Sequence, residues 1–264
     1  MARGVAVAQF APVADEAANL DTIARLAREA AARGAALIAF PEYSAYFDGA
    51  PGPGWRAHAQ SLDGAFVTAL AALAEELDVT LVAGMIEPAS DDVRVRNTIV
   101  AVAPRVGVVA CYRKLHLYDA FGAQESEWIE PGEITEPDVF AWDGFTVGMQ
   151  TCYDVRFPEV TRRIVDAGAD LVIVPAEWVR GPLKEQHWRT LVIARALENT
   201  IYVAAPGQTP PIGIGSSLIV DPMGIALASL GEAESVAVAA VDPERIASVR
   251  AVNPALALRR FRVS

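Results

Sequence analysis

The chain is 264 residues long, 53% hydrophobic, and carries 33 acidic against 22 basic side chains for a net charge of -11. Apolar content of this order excludes a disordered chain, and the length suits one large α/β domain, expected over 1-264 with no linker dividing it. Basic residues are scattered rather than clustered, so the acidic field argues against nucleic acid or an anionic membrane as partner.

Taken in chain order, strand and helix signals alternate. Val5 to Phe10 reads as a strand. Leu20, Ile23, Ala24, Ala27, Ala30 and Ala31 recur at helical spacing, which predicts a helix over Asn19–Arg33 with Asn19 as cap and Gly34 as stop. Ala36 to Phe40 is an apolar run that leads into Pro41-Glu42. A second helix is predicted over Gly64–Leu77, followed by strands at Val79–Met85, Thr98–Val102 and Val106–Tyr112, the last two joined by a hairpin turn at Ala103-Pro104-Arg105. Thr146–Thr151 runs into Cys152. Leu171–Pro175, Tyr202–Ala205 and Leu218–Val220 are further strands, and Leu183–Asn199 is a third helix. Helical layers with a hairpin among them imply a mixed sheet, arranged as a doubly wound open sheet or as two stacked sheets with helices outside.

Cys111 and Cys152 are the two cysteines, and neither sits in a C-x-x-C pair or a disulfide framework. Cys111 reads as a buried strand residue. The amino terminus enters a strand without a secretory leader pattern, and no apolar run reaches bilayer length, so a reducing cytoplasm is the expected setting.

Three apolar runs end in chemistry: Glu42 after Ala36 to Pro41, Lys114 after Val108 to Arg113, and Cys152 after Phe145 to Thr151. Open α/β sheets place reactive groups just beyond such strand ends, so a carboxylate, an ammonium and a thiol can meet at one rim. Together they suffice to hydrolyse an amide. The thiol needs a base to become a strong nucleophile, which Glu42 can be, and the developing oxyanion needs a fixed cation, which Lys114 can be. Each residue alone has a plainer reading, as a packed thiol, a solvated acid or a surface lysine; the conjunction carries the signal.

In that conjunction the sequence resembles the nitrilase or carbon-nitrogen hydrolase superfamily. The blocks are Phe40-Pro41-Glu42, Tyr112 to Leu117 and Cys152 to Glu159, with further likeness at Val5 to Phe10 and Ser216 to Gly224. The resemblance implies a four-layer αββα sandwich, a Glu42-Lys114-Cys152 triad, no metal and no organic cofactor. It also implies that Glu125, in Ala123-Gln124-Glu125-Ser126, is a supporting acid beside Lys114. The backbone N-H of Tyr153 is a candidate second oxyanion donor, and Trp178 a candidate apolar wall.

Arg156 is a candidate anchor for a substrate carboxylate, because a guanidinium can bind one through two parallel hydrogen bonds. Cys152-Tyr153-Asp154 followed by Arg156-Phe157 resembles the ω-amidase branch, whose substrates carry carboxylates, whereas Glu177 to Pro182 departs from it. Arg156 can equally pair with Asp154 or Glu159. The expected reaction is hydrolysis of a small amide to acid and ammonia through a thioester. N-carbamoyl hydrolysis is the alternative; nitrile hydrolysis and a binding protein without turnover stand further off. No phosphate-binding glycine loop, H-E-x-x-H or G-x-S-x-G occurs. The resemblance further implies a homodimer or larger homo-oligomer, in which the tail 253-264 either crosses to a second copy or folds back on its own domain.

Overall fold

In the computed structural model, which describes residues 2-263, the strands form two six-stranded sheets. The first holds β1 (Arg3–Gln9), β2 (Ala35–Ala39), β3 (Thr80–Pro88), β4 (Val95–Ala103), β5 (Gly107–Arg113) and β12 (Ser235–Val241), in the order β12-β1-β2-β3-β4-β5. The second holds β6 (Val139–Trp142), β7 (Phe145–Met149), β8 (Leu171–Ile173), β9 (Tyr202–Ala205), β10 (Leu218–Val220) and β11 (Ala226–Ser229), adjacent in that order. Both follow one plan. Three parallel strands stand in the middle, two antiparallel strands continue one side, and one antiparallel strand closes the other.

The side-chain alternation of β1 explains the layering. Val5 and Val7 point inward with Leu37, Ala39 and Val82 and meet Val147, Leu171, Ile173 and Tyr202 of the other sheet. Ala6 and Ala8 point outward against Ile23 and Leu26 of α1 (Glu16–Ala32) and Phe66 and Leu70 of α2 (Ala65–Leu77). On the far side, Val172 and Val203 pack on Ile164 of α3 (Pro158–Asp166) and on Trp188 and Val192 of α4 (Lys184–Asn199). The result is the four-layer αββα sandwich. Strands covered on both faces must be apolar throughout, which is why the central runs read as continuous rather than alternating. Each fully buried leucine or isoleucine here stabilises the fold by about 1.5–3 kcal/mol.

Several local expectations change. The cap of α1 is Asp15, whose carboxylate accepts from the N-H groups of Ala17 and Ala18; Asn19 lies one turn inside. The Asn19 amide instead bonds the carbonyls of Val13 and Ala45, tying two loops together. Cys111 is half-buried, because β5 is an edge strand with a neighbour on one side only. Helices α3 and α5 (Pro243–Val252), and strands β6, β11 and β12, were not foreseen. The two helices have 9 and 10 residues, too short for a convincing 3.6 period.

In the tail, Leu256 packs against the cluster on α3 and α4, and Arg259 pairs with Asp166. Leu258 and Phe261 stay exposed. Among the described residues, no helix is long and apolar enough to cross a membrane.

Candidate active site

Glu42 leaves β2 through a tight passage over β3. The Gly84 N-H donates to the Pro41 carbonyl, and a Cβ on Gly84 would lie 2.4 Å from the Tyr43 nitrogen and 2.8 Å from Glu42 Cα. Only a glycine lets this loop close. The carboxylate it delivers is 1% exposed. Glu42 Oε1 accepts from Asn97 Nδ2 at 2.6 Å and from Lys114 Nζ at 2.9 Å, and Oε2 accepts from the backbone N-H of Glu177 at 2.6 Å. Gln208 Nε2 donates to the Glu42 carbonyl at 2.9 Å. A buried charge is tolerable when it is paired and fully hydrogen-bonded, as here.

Lys114 follows β5, with its N-H on the Asn97 carbonyl and its own carbonyl taking the N-H of Gly132. Its ammonium, 2% exposed, lies 2.9 Å from Glu42 Oε1 and 2.9 Å from Glu125 Oε2. Burial pulls the lysine pKa down, but Glu125 and Glu42 outweigh it and lift the group well above the ordinary lysine range. Lys114 is therefore a permanent cation at neutral pH. Glu125 is held in turn by the Tyr43 hydroxyl at 2.7 Å and the Tyr118 N-H at 2.5 Å.

Cys152 opens a 3-10 turn (Cys152–Arg156) directly beyond β7, with φ +47 and its N-H on the Pro175 carbonyl. A left-handed cysteine is uncommon backbone, held because the turn around it is over-determined. Asp154 does the holding. Its carboxylate accepts from the Tyr112 hydroxyl at 2.7 Å and the His116 N-H at 2.9 Å, and its Oδ1 lies 2.8 Å from His116 Nδ1, joining the cysteine turn to the loop that carries Lys114. Burial, then the facing Glu42 carboxylate, pushes the Cys152 thiol well above its usual pKa, with Lys114 pulling the other way. At rest the sulfur keeps its proton, and Glu42 is the adjacent acceptor.

These contacts bring Glu42, Lys114, Glu125 and Cys152 into one constellation. Residues 4-251 match the carbon-nitrogen hydrolase family. The chain belongs to that family. A protein of Mycobacterium tuberculosis described as a hydrolase is 39% identical over 235 residues, covering 83% of this chain and 82% of its own. A deaminated glutathione amidase of Escherichia coli O157:H7 is 38% identical over 218 residues, covering 83% and 82%. Among solved structures, an amidase from Nesterenkonia sp. superposes with a TM-score of 0.80 at 28% identity, covering 97% of this chain and 96% of the other. Nit3 of Saccharomyces cerevisiae, a nitrilase-superfamily member, does so at 0.85 and 27%, covering 98% and 97%.

In this hydrolase the constellation lies in a cleft of about 830 Å3. Tyr153 and Trp178 line it, Tyr153 with its ring edge-on to Tyr118 and Trp178 with its indole N-H on the Lys184 carbonyl. Arg156 does not reach the cleft wall. Its guanidinium lies 5.0 Å from the Trp178 ring and 5.8 Å from that of Tyr153, and Nε and Nη2 are buried with no hydrogen-bond partner among the described residues. Pairing with Asp154 or Glu159 does not occur; Asp154 is taken up by Tyr112 and His116. Besides Lys114 and Arg180, which pair with carboxylates, the cleft is lined by Lys184 at the start of α4, with Nζ 2.8 Å from the Tyr118 hydroxyl and 4.2 Å from the Phe121 ring centroid. Burial and the neighbouring Arg156 lower its pKa.

Three contributors escaped sequence reasoning. Asn97 sits mid-strand in β4 and looks like any strand polar residue. Lys184 carries no motif, only its place after the Trp178 loop. Glu177 stands where the family likeness breaks, which was the one available signal. Among the described residues no group of three or more His, Cys, Asp or Glu side chains is arranged to hold a metal ion.

Proposed function

We propose that this hydrolase cleaves the C-N bond of a small amide through a Cys152 thioester, releasing ammonia and a carboxylic acid. The observation that carries the reading is the Glu42 carboxylate, bonded to Lys114 on one side and facing the Cys152 thiol on the other, at the floor of a substrate-sized cleft. Glu42 takes the thiol proton as sulfur attacks the carbonyl carbon. Negative charge then collects on the carbonyl oxygen, where Lys114 and the Tyr153 N-H stabilise it; one such donor is worth about 100- to 1,000-fold in turnover. The Tyr153 N-H lies in the first turn of its 3-10 segment, where intrahelical acceptors are lacking. Collapse breaks the C-N bond, with Glu42 returning the proton to nitrogen. Water, deprotonated by Glu42, attacks the thioester, and the acid leaves with the thiol restored. Glu125 keeps Lys114 in place.

The acyl part is read as anionic. Lys184 and Arg156 are two cations with no carboxylate partner among the described residues, one on the cleft wall and one behind it, in a chain of net charge -11. The amidases among the relatives support amide hydrolysis, and acrylamide addition at the active-site cysteine of a Nesterenkonia amidase variant supports a nucleophilic cysteine. The same proposal takes 1-264 as one catalytic domain working in a reducing cytoplasm as a homo-oligomer, with exposed Leu258 and Phe261 as contact residues.

The test is ammonia release from glutaramate, pentanamide, N-carbamoyl-β-alanine and pentanenitrile, with Cys152→Ala as control. Cysteine-dependent release from glutaramate above pentanamide supports the proposal. Release from the N-carbamoyl compound or the nitrile alone overturns the reaction, and substantial turnover by Cys152→Ala overturns the mechanism.

A further inference from the structure

Besides the exposed Glu127, three carboxyl groups line this cleft, and two of them are hydrogen-bonded through both oxygens. Glu42 is bonded by Asn97, Lys114 and the Glu177 N-H, and Glu125 by Tyr43, Lys114 and the Tyr118 N-H. The third, Glu177, makes no side-chain hydrogen bond among the described residues, and its Oε1 is shut from solvent without a partner. A buried polar atom left in this state has given up its hydrogen bond to water without replacing it. Such a cost persists where something else supplies the bond.

The backbone around Glu177 is not loose enough to make this a stray rotamer. Ala176 bridges to Gly207, its carbonyl takes the Gln208 N-H, and the Glu177 N-H is fastened to Glu42 Oε2 at 2.6 Å. The Glu177 side chain therefore starts from the catalytic base itself. Whatever it meets in the cleft is close to the scissile carbonyl. Rotation about χ3, a soft torsion in glutamate, presents either oxygen to that space.

We propose that Glu177 is a specificity-determining residue, whose free carboxyl hydrogen-bonds a hydroxyl on the acyl carbon next to the scissile carbonyl. The substrate class is thus a 2-hydroxy amide, a refinement that rests on the amidase reading above. The groups facing Glu177 are Glu42 from the β2 end, Lys114 and Glu125 from the segment after β5, Cys152 from the 3-10 turn and Lys184 from α4. Burial, then Glu42, pushes the Glu177 carboxyl well above the usual glutamate pKa, with the lysines opposing. Its oxygens can accept from the hydroxyl proton, and the upward shift favours the protonated form, which can also donate to the hydroxyl oxygen.

The experiment uses two matched pairs. One is lactamide against propionamide; the other is glutaramate with and without a hydroxyl on the carbon next to its amide carbonyl. Within each pair, the ratio of kcat/KM reads Glu177; between pairs, the effect of the carboxylate reads the anion proposal independently. Wild type should prefer the hydroxylated member at least tenfold. Glu177→Gln, which keeps the shape and a donor, should retain a preference of threefold or more. Glu177→Ala and the near-isosteric Glu177→Met should bring the ratio to about one, mainly through KM. A purely structural role would lower both members equally and leave the ratio untouched. A wild-type ratio near one in both pairs, or an unchanged ratio in Glu177→Met, overturns the proposal.

Discussion

Replacing Lys114 by methionine removes one charge from a site where two carboxylates depend on it. Both ion pairs measure 2.9 Å, and Lys114 and Glu42 are 2% and 1% exposed, so solvent cannot take over. Removing one partner of a buried pair typically costs about 3–5 kcal/mol, because the remaining charge is left unmatched. For a chain of this size each kcal/mol shifts Tm by about 2–4 °C, which puts the expected fall between about 6 and 20 °C. The sign of the pH dependence follows from the raised lysine pKa. The contribution of Lys114 is complete below its unfolded value of about 10.4 and disappears only as pH rises through the still higher folded value, so the deficit should persist through the neutral range. Turnover should drop at least 100-fold as well, through loss of the oxyanion donor. Urea unfolding of Lys114→Met and wild type at pH 7 and 8 measures the first effect, and ammonia release the second. A stability loss below about 1 kcal/mol, the value of an exposed ion pair, would refute the reasoning. So would normal turnover in a folded variant.

Gly84→Ala puts a methyl 2.4 Å from the Tyr43 nitrogen, so the Glu42 loop must shift. Circular dichroism melting should show a loss of about 1–3 kcal/mol, and kcat/KM should fall by about 100-fold, as for a displacement of roughly 1 Å at a reacting group. Iodoacetamide labelling of Cys152 should rise with pH on the alkaline side of a simple thiol's value of about 8.5, since burial and Glu42 favour the protonated sulfur. A profile shifted to the acidic side would instead show a resting thiolate paired with Lys114. Burial raises the Cys111 thiol as well, so slow labelling of both cysteines at neutral pH is the expected result.

Much of the fold was legible because burial on both faces writes long apolar runs. β9 and β10 lie where the runs at Tyr202–Ala205 and Leu218–Val220 predict them, and α2 and α4 lie within a residue of expectation. What stayed hidden was short or peripheral. β6 and β11 have 4 residues each, and β12 is written in alanine and valine at a sheet edge. Asn19 was misread for a related reason: a capping residue and a buried loop tie look alike in sequence, and only the position of Val13 and Ala45 separates them.

The candidate chemistry and most of the strand runs were legible in the sequence itself. Strand ends carrying Glu42, Lys114 and Cys152 are local patterns, and each keeps its meaning without knowledge of its neighbours. Their company is not local. The bond from Asn97 to Glu42 spans 55 residues and that from the Glu177 N-H to Glu42 spans 135. Only packing of two sheets against one another brings those strand ends to a common rim, and so decides that Asp154 braces the turn, that Arg156 lies behind Trp178 while Lys184 lines the wall, and that Glu177 is left with an open hydrogen bond. A residue's partners and the dielectric around it are properties of the assembled core, and no spacing along the chain encodes them.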